Sequence, residues 1–112
     1  MSTFNLIQND IEAYCEAHTT PESDLLYRLN RQTNIETVNP RMMSGQLQGT
    51  FLSLVSKMIQ PRYILEVGTF TGYSALCLAD GLQEQGELHT IDYNIEFEDR
   101  IREYFEQSEK KD

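Results

Sequence analysis

The stretch of sequence that decides the fold runs from residue 63 to residue 74. It reads Tyr63-Ile64-Leu65-Glu66-Val67-Gly68-Thr69-Phe70-Thr71-Gly72-Tyr73-Ser74. Its apolar first part predicts a buried strand, its two glycines predict a tight turn, and the residues after the second glycine predict the start of a helix. Glycines allow the backbone to approach a ligand closely, and the first turn of a helix offers unpaired backbone N–H groups. The stretch therefore predicts a strand, a turn and a helix around a ligand pocket.

Two acidic residues extend this prediction. Glu66 lies near the end of the first predicted strand, and Asp92 follows a second predicted strand at residues 87–91. Acidic residues at strand ends bind the hydroxyl groups of sugars, and Asp92 would accept hydrogen bonds from both hydroxyls of a ribose. Each acid also has an alternative role that involves no ligand: Glu66 could face solvent or a helix dipole, and Asp92 could close an Asx turn. The two acids favour a cofactor that contains adenosine.

The spacing of the glycines narrows the choice of cofactor. Gly68 and Gly72 form G-x-x-x-G, whereas dinucleotide-binding proteins use G-x-G-x-x-G, in which the middle glycine makes room for a pyrophosphate. The missing middle glycine favours a cofactor without phosphates, such as S-adenosylmethionine (SAM). It disfavours the alternative of an NAD-dependent oxidoreductase.

The rest of the chain predicts the order α-α-α-β-α-β-α. Apolar residues at helical spacing predict a first helix over about residues 5–17, and Thr20-Pro21 predicts the capped start of a second. Ser44 is a candidate N-cap for a third helix, which has an apolar face. That face holds Leu47, Phe51, Leu54, Val55 and Met58. Helices over about 72–82 and 95–106 complete an α/β fold with a parallel sheet. We expect one domain over 1–112, with a helical segment at 1–60 before a βαβα unit at 61–112.

Composition excludes several classes of partner. The net charge of −9 argues against nucleic acid and against anionic membranes, both of which need a basic surface. No apolar run approaches the ~20 residues that span a bilayer, so we expect a cytoplasmic protein. Cys15 and Cys77 are expected to be reduced, packed thiols, and the isolated His18 and His89 indicate no metal site.

The glycine-turn segment resembles a known family motif. Residues 66–74 match E-[IVL]-G-x-[YF]-[TC]-G-Y-S of the cation-dependent class I O-methyltransferases, which include caffeoyl-CoA and catechol O-methyltransferases. Residues 42–49 resemble the segment that opens a helix in that family, and residues 89–92 resemble its second strand ending. The resemblance covers roughly residues 20–110. It implies a Rossmann-like class I methyltransferase fold, with helices on both faces of the parallel sheet.

The resemblance also implies a set of cofactor-binding residues. They are Ser44, Glu66, Gly68, Thr69, Phe70, Gly72, Ser74 and Asp92. Ser44 and Ser74 would contact the amino-acid tail of SAM, with Glu66 at the same end of the pocket. Phe70 would pack beside the cofactor, and Asp92 would hold the ribose. For Ser44 and Ser74, plain helix capping is the alternative.

In the family that this chain resembles, the chemistry lies further along the sequence. Two aspartates and an asparagine hold a divalent cation (Mg²⁺, Mn²⁺ or Ca²⁺), which binds the vicinal hydroxyls of the acceptor and lowers their pKa. All of these ligands would fall beyond Asp112. We therefore expect the chain to be the N-terminal, cofactor-binding half of an enzyme that methylates a small, catechol-like acceptor, and to be inactive alone. The alternative is a non-catalytic module that binds the cofactor or a partner chain.

The expected truncation has a physical consequence. Without a neighbouring strand from the other half, strand 63–67 would present a bare apolar edge, which invites pairing between chains. The sequence therefore predicts a homodimer, aggregation or partial folding.

Overall fold

The computed structural model describes residues 8–38 and 42–108. Its elements are α1 Asn9–Ala17, α2 Asp24–Glu36, α3 Gly45–Ile59, β1 Tyr63–Val67, α4 Tyr73–Leu78, β2 Glu87–Ile91 and α5 Glu98–Gln107. A 3₁₀ turn, Ala79–Gly81, follows α4 directly. The predicted order is confirmed, as are the bounds of both strands, while the first residues of the first predicted helix lie outside the described residues. None of the described helices is long and apolar enough to cross a membrane.

The sheet pairs β1 and β2 in parallel. Glu66 lies opposite Thr90 and Val67 lies opposite Ile91 in the register. The carboxyl ends of the two strands therefore meet at the same edge, and the backbone N–H of Gly68 donates to the carbonyl of Ile91 at 2.7 Å. This pairing brings the end of β2 beside the glycine turn that follows β1.

The two faces of this sheet differ in exposure. Because side chains alternate along a strand, Ile64 and Glu66 share one face of β1, which is half-buried. The opposite face carries Tyr63, Leu65 and Val67, all of them exposed, with 81% of Val67 accessible to solvent. Within residues 8–38 and 42–108, β1 pairs with β2 alone. The described part of the chain thus leaves one apolar sheet face and one edge of β1 open.

The core lies where the helices meet rather than under the sheet. Leu29 of α2, Tyr73 and Cys77 of α4 and Tyr104 of α5 form a buried cluster. The partly buried residues packed against it are Leu25, Leu26, Met43, Leu52 and Leu76. The phenol of Tyr104 also donates a hydrogen bond to Gln32 of α2. The buried cluster thus joins α2, α4 and α5.

The buried face of helix α3 is not the apolar face that the sequence predicts to be buried. Phe51, Leu54 and Met58 are exposed, and the buried positions are Gly49, Ser53 and Ser56. Small residues are needed because α3 lies very close to α4 and the 3₁₀ turn. A Cβ added at Gly49 would come within 2.8 Å of the Cys77 sulfur. Hydroxyl bonds from Ser53 to Asp80 (2.6 Å) and from Ser56 to the Leu78 carbonyl hold this contact.

Two further local predictions are wrong. Helix α2 begins at Asp24 rather than after Thr20, because the Ser23 hydroxyl accepts the backbone N–H of Leu26 at 3.2 Å and caps the helix there. Cys15 is exposed on α1 and not packed, whereas Cys77 is buried as expected. Burial raises the pKa of the Cys77 thiol to about 12.

Candidate cofactor-binding site

A small cleft, with an accessible volume of about 30 Å³, opens at the carboxyl ends of the two strands. Its lining consists of Met42, Met43, Ser44, Gly68, Thr69, Phe70, Thr71, Tyr73 and Ser74. These residues come from three segments: the approach to α3, the glycine turn and the first turn of α4. The fold therefore brings together Ser44, the turn residues and Ser74, which the sequence analysis had selected from separate places in the chain.

The two turn glycines have different surroundings. Both have positive φ angles, +97° at Gly68 and +94° at Gly72, which residues other than glycine rarely adopt. A Cβ added at Gly68 would have no atom within 4 Å, so open space lies beside this backbone. A Cβ added at Gly72 would lie 2.9 Å from Cε1 of Phe105. Gly68 thus borders open space, and Gly72 permits close packing of α5.

Phe70 adopts an unusual conformation at the mouth of the cleft. Its φ angle is +49°, in the left-handed region that is costly for a residue with a Cβ. Two contacts support it: its backbone N–H donates to the Asp92 carboxylate at 3.0 Å, and its ring meets Phe97 edge-to-face with 5.7 Å between centroids. Such conformations persist only where the surroundings hold them, and they are concentrated at functional sites.

Asp92 closes the Asx turn that the sequence offered as its local role, while its binding to a ribose stays a prediction. Its carboxylate accepts the backbone N–H of Asn94 at 3.0 Å, which closes an Asx turn, and also that of Phe70. The N–H of Asn94, followed by that of Phe70, lowers the pKa of Asp92 below its ordinary value. A carboxylate has about four acceptor positions. The carboxylate of Asp92 is also exposed to solvent, so the residue is accessible from outside the turn.

Glu66 and Ser74 are bonded to each other in this structure. The Ser74 hydroxyl donates to one oxygen of Glu66, and the Thr90 hydroxyl donates to the other at 2.8 Å. Neither Ser44 nor Ser74 makes a hydrogen bond that caps its helix. Both serines line the cleft, and their contact with the amino-acid tail of a cofactor stays a prediction.

Sequence reasoning missed the residues in and just before α2 that hydrogen-bond residues of the cleft lining. The phenol of Tyr73 donates to Glu22, which also accepts from the side-chain amide of Asn30 at 3.0 Å. Burial, and then the bond to Glu22, raises the pKa of Tyr73. Thr33 of α2 bonds the hydroxyl of Thr71 in the turn at 3.1 Å. The only sequence signal was the place of Tyr73 and Thr71 within the motif, which gave no indication of their partners.

The residues fit an adenosine-containing cofactor better than a metal ion. The free space beside Gly68 and the exposed carboxylate of Asp92 are features that a nucleoside with an amino-acid tail would use. In the described ranges, no three His, Cys, Asp or Glu side chains come together in a way that would hold a metal.

Comparison with known proteins identifies the family. A sequence profile of the O-methyltransferase family matches residues 16–111. This chain belongs to the O-methyltransferase family. The match includes every residue that we selected as cofactor-binding, from Ser44 to Asp92.

Relatives of this O-methyltransferase chain include enzymes of two kinds. It is 43% identical over 54 residues to the catechol O-methyltransferase of Mycobacterium tuberculosis, which is 48% of this chain and 24% of that enzyme. It is 30% identical over 91 residues to caffeoyl-CoA O-methyltransferase 1 of Nicotiana tabacum, covering 67% of this chain and 38% of that enzyme. The chain thus spans well under half the length of these relatives.

Solved structures confirm the fold class. An SAH-bound methyltransferase of Podospora anserina superposes with a TM-score of 0.79 at 26% identity, covering 96% of this chain and 48% of that one. An O-methyltransferase of Bacillus cereus, in complex with SAH, gives 0.78 at 28% identity, covering 88% and 44%. The α/β, Rossmann-like class I methyltransferase fold is confirmed. The relatives and structures named here are all methyltransferases and give no support to the NAD-dependent alternative.

Proposed function

We propose that this chain binds S-adenosylmethionine in the cleft at the strand ends, as the cofactor-binding part of an O-methyltransferase. The observation that carries the proposal is the meeting of the glycine turn with Asp92, whose carboxylate accepts a hydrogen bond from the turn and is exposed to solvent, where a ribose could reach it. The SAM- and SAH-bound states of the structural neighbours support the choice of cofactor.

Each part of the cofactor has a candidate partner in this chain. Asp92 would accept the ribose hydroxyls, and the open backbone at Gly68 would allow close approach. Ser44 and Ser74, on opposite segments of the cleft lining, would bind the amino-acid tail. When bound, SAM supplies an electrophilic methyl group, and its transfer to an acceptor oxygen leaves S-adenosylhomocysteine. The residues of this chain bind and orient; none of them is assigned a proton transfer.

The acceptor is proposed to be a small hydroxylated molecule of the catechol type. The support is the similarity to catechol and caffeoyl-CoA O-methyltransferases. In this proposal the divalent cation and the acceptor site belong to polypeptide outside the described residues, which offer no metal-binding cluster. The 112-residue chain alone is then a cofactor-binding half without turnover.

A second candidate function is non-catalytic: a module that pairs with a second copy of itself. The exposed side chains Tyr63, Leu65 and Val67 lie on one face of β1, whose free edge is unpaired in the described part of the chain. Two copies related by a twofold axis perpendicular to the sheet at that edge would pair their β1 strands antiparallel. The apolar faces of the two copies would then lie on the same side of the joined sheet. Light scattering tests this: a dimer that Val67→Lys converts to a monomer supports it, and a monomeric native chain contradicts it.

The proposed cofactor is tested by displacement. Radiolabelled SAM should be retained by the folded chain, released by unlabelled S-adenosylhomocysteine and unaffected by NAD at the same concentration. Release by NAD alone would indicate a dinucleotide site instead. A chain that is folded by circular dichroism and retains no label would contradict cofactor binding by this polypeptide.

A further inference from the structure

Four polar side chains form a continuous hydrogen-bonded network at the carboxyl ends of the strands. Thr69 and Thr90 share a bond of 2.6 Å between their hydroxyl oxygens. Thr90 also donates to Oε1 of Glu66 at 2.8 Å, and Ser74 donates to Oε2 of the same carboxylate. The network joins the glycine turn, β2, β1 and the first turn of α4.

Proton accounting fixes the direction of every bond in this network. An ionised carboxylate only accepts hydrogen bonds, and a threonine hydroxyl has one proton to donate. Because the proton of Thr90 goes to Glu66, the bond between the two threonines must carry the proton of Thr69. The hydroxyls of Thr90 and Ser74 therefore donate directly to Glu66. The hydroxyl of Thr69 donates to Thr90 and is linked to Glu66 through it. Both oxygens of Glu66 are engaged within the protein.

Thr90 has a special place among the four. It is the only member whose hydroxyl both accepts and donates, so it joins Thr69 to Glu66. It does not line the cleft, whereas Thr69 and Ser74 do. Thr69 is only 6% exposed, which leaves its hydroxyl little access to water if Thr90 is removed.

We propose that Thr90 is a positioning residue of the cofactor site. Its hydroxyl holds the Glu66 carboxylate in the position where that carboxylate binds Ser74, and it holds Thr69 in the glycine turn. Two residues of the cleft lining, Thr69 and Ser74, are thus held by one side chain of β2 before any ligand arrives. The identity of the ligand rests on the proposed function; the network itself is a property of this chain.

The substitution Thr90→Val is the direct test, because valine keeps the shape of threonine and lacks the hydroxyl. It leaves the buried hydroxyl of Thr69 without its acceptor and one oxygen of Glu66 without its donor, and unpaired buried polar groups are costly. Thr90→Ser restores the hydroxyl with a smaller side chain. A role in positioning predicts loss in the valine variant and rescue in the serine variant.

Binding of S-adenosylhomocysteine, measured by calorimetry, gives the first readout. We expect Thr90→Val to weaken binding about tenfold and Thr90→Ser to stay within about twofold of the native chain. Ser53→Ala is the matched control: it deletes the buried 2.6 Å bond to Asp80, away from the cleft, and should lower stability without changing affinity. Equal affinities in all four proteins would overturn the proposal.

A second readout needs no ligand and separates the two proposals. The backbone N–H of Gly72 donates to the carbonyl of Thr69 at 2.9 Å, so its hydrogen exchange reports on the turn. Exchange at Gly72 should accelerate in Thr90→Val and be restored in Thr90→Ser. If the native chain binds no S-adenosylhomocysteine, the proposed function fails, and this exchange pattern alone upholds or overturns the positioning role. If Thr90→Val does not fold, Thr69→Val and Thr69→Ser replace it as the test. The positioning role then requires faster exchange at Gly72 in Thr69→Val and native exchange in Thr69→Ser, and any other pattern overturns it.

Discussion

The backbone N–H of Phe70 donates to the carboxylate of Asp92 at 3.0 Å, and this bond ties the turn after β1 to the end of β2. It makes the proposed ribose-binding residue part of the turn that would lie beneath the cofactor. A ligand that bonds Asp92 would therefore meet a side chain already held in place by two backbone N–H groups, those of Phe70 and Asn94. Part of the ordering that binding requires is present in the free protein.

Removal of the Asp92 side chain should weaken cofactor binding. We expect Asp92→Ala to reduce the affinity for S-adenosylhomocysteine by about 1.5–3 kcal/mol, the range for a hydrogen bond to a charged group. Asp92→Asn removes the charge but keeps an oxygen that can accept from Phe70 or Asn94. It therefore separates the effect of the lost charge on affinity from the effect of a disturbed turn. Calorimetric titration of the three proteins measures both effects. Unchanged affinity in Asp92→Ala would remove the ribose assignment.

The stability that Asp92 contributes should depend on pH in one direction. The backbone N–H groups of Asn94 and Phe70 lower its pKa in the folded state below the unfolded value of ~3.9. The contribution is therefore fully present above that unfolded value and is lost as the pH falls through the folded pKa. The stability difference between the native chain and Asp92→Asn, measured by urea unfolding, should be constant from about pH 7 to pH 5 and shrink toward pH 3. Growth of the difference on acidification would contradict this account. Because Asp92 is exposed, we expect a small effect.

The two turn glycines should differ in how much stability an alanine costs. Both alanine variants carry the penalty of a positive φ angle, about 1–2 kcal/mol. Gly72→Ala should cost about 1 kcal/mol more, because its Cβ would lie 2.9 Å from Phe105 and force that ring to move. Gly68→Ala meets no atom, so its additional effect should appear in cofactor affinity. Urea unfolding and calorimetry of both variants measure these effects, and the reverse order of stability would contradict the packing assigned to Gly72.

The two cysteines should react with thiol reagents at very different rates. Cys15 is exposed, whereas burial raises the pKa of Cys77 to about 12 and removes it from solvent. At pH 8, one thiol per folded chain should be modified rapidly by iodoacetamide, and mass mapping should place the label on Cys15. The second thiol should react only after denaturant is added. Rapid labelling of Cys77 in the folded chain would show that the contact between α3 and α4 opens readily.

The sequence predicted the strands and the glycine turn well because those signals are local. Apolar residues in β1, the glycines at 68 and 72 and the acid after β2 each act within a few residues. Positive φ angles at Gly68 and Gly72 are what a tight turn between a strand and a helix requires. These features needed no knowledge of what lies across the molecule.

Features that depend on residues far apart in the sequence were harder to predict. The apolar stripe of α3 predicts one inward face, yet the helix buries Gly49, Ser53 and Ser56, because close contact with α4 leaves room only for small residues. Thr90 became visible only when the parallel register placed it opposite Glu66. Its polar character in a strand was the one available signal, and many exposed strand residues share it.

Calorimetric titration of S-adenosylhomocysteine into the purified 112-residue chain tests the central claim most directly. The account predicts saturable binding at one site per chain, because the cleft lining from Ser44 to Ser74 and the carboxylate of Asp92 are all present in this polypeptide. A chain that is folded by circular dichroism and gives no binding heat at several temperatures would contradict it. The cleft would then lack an element that cofactor binding requires.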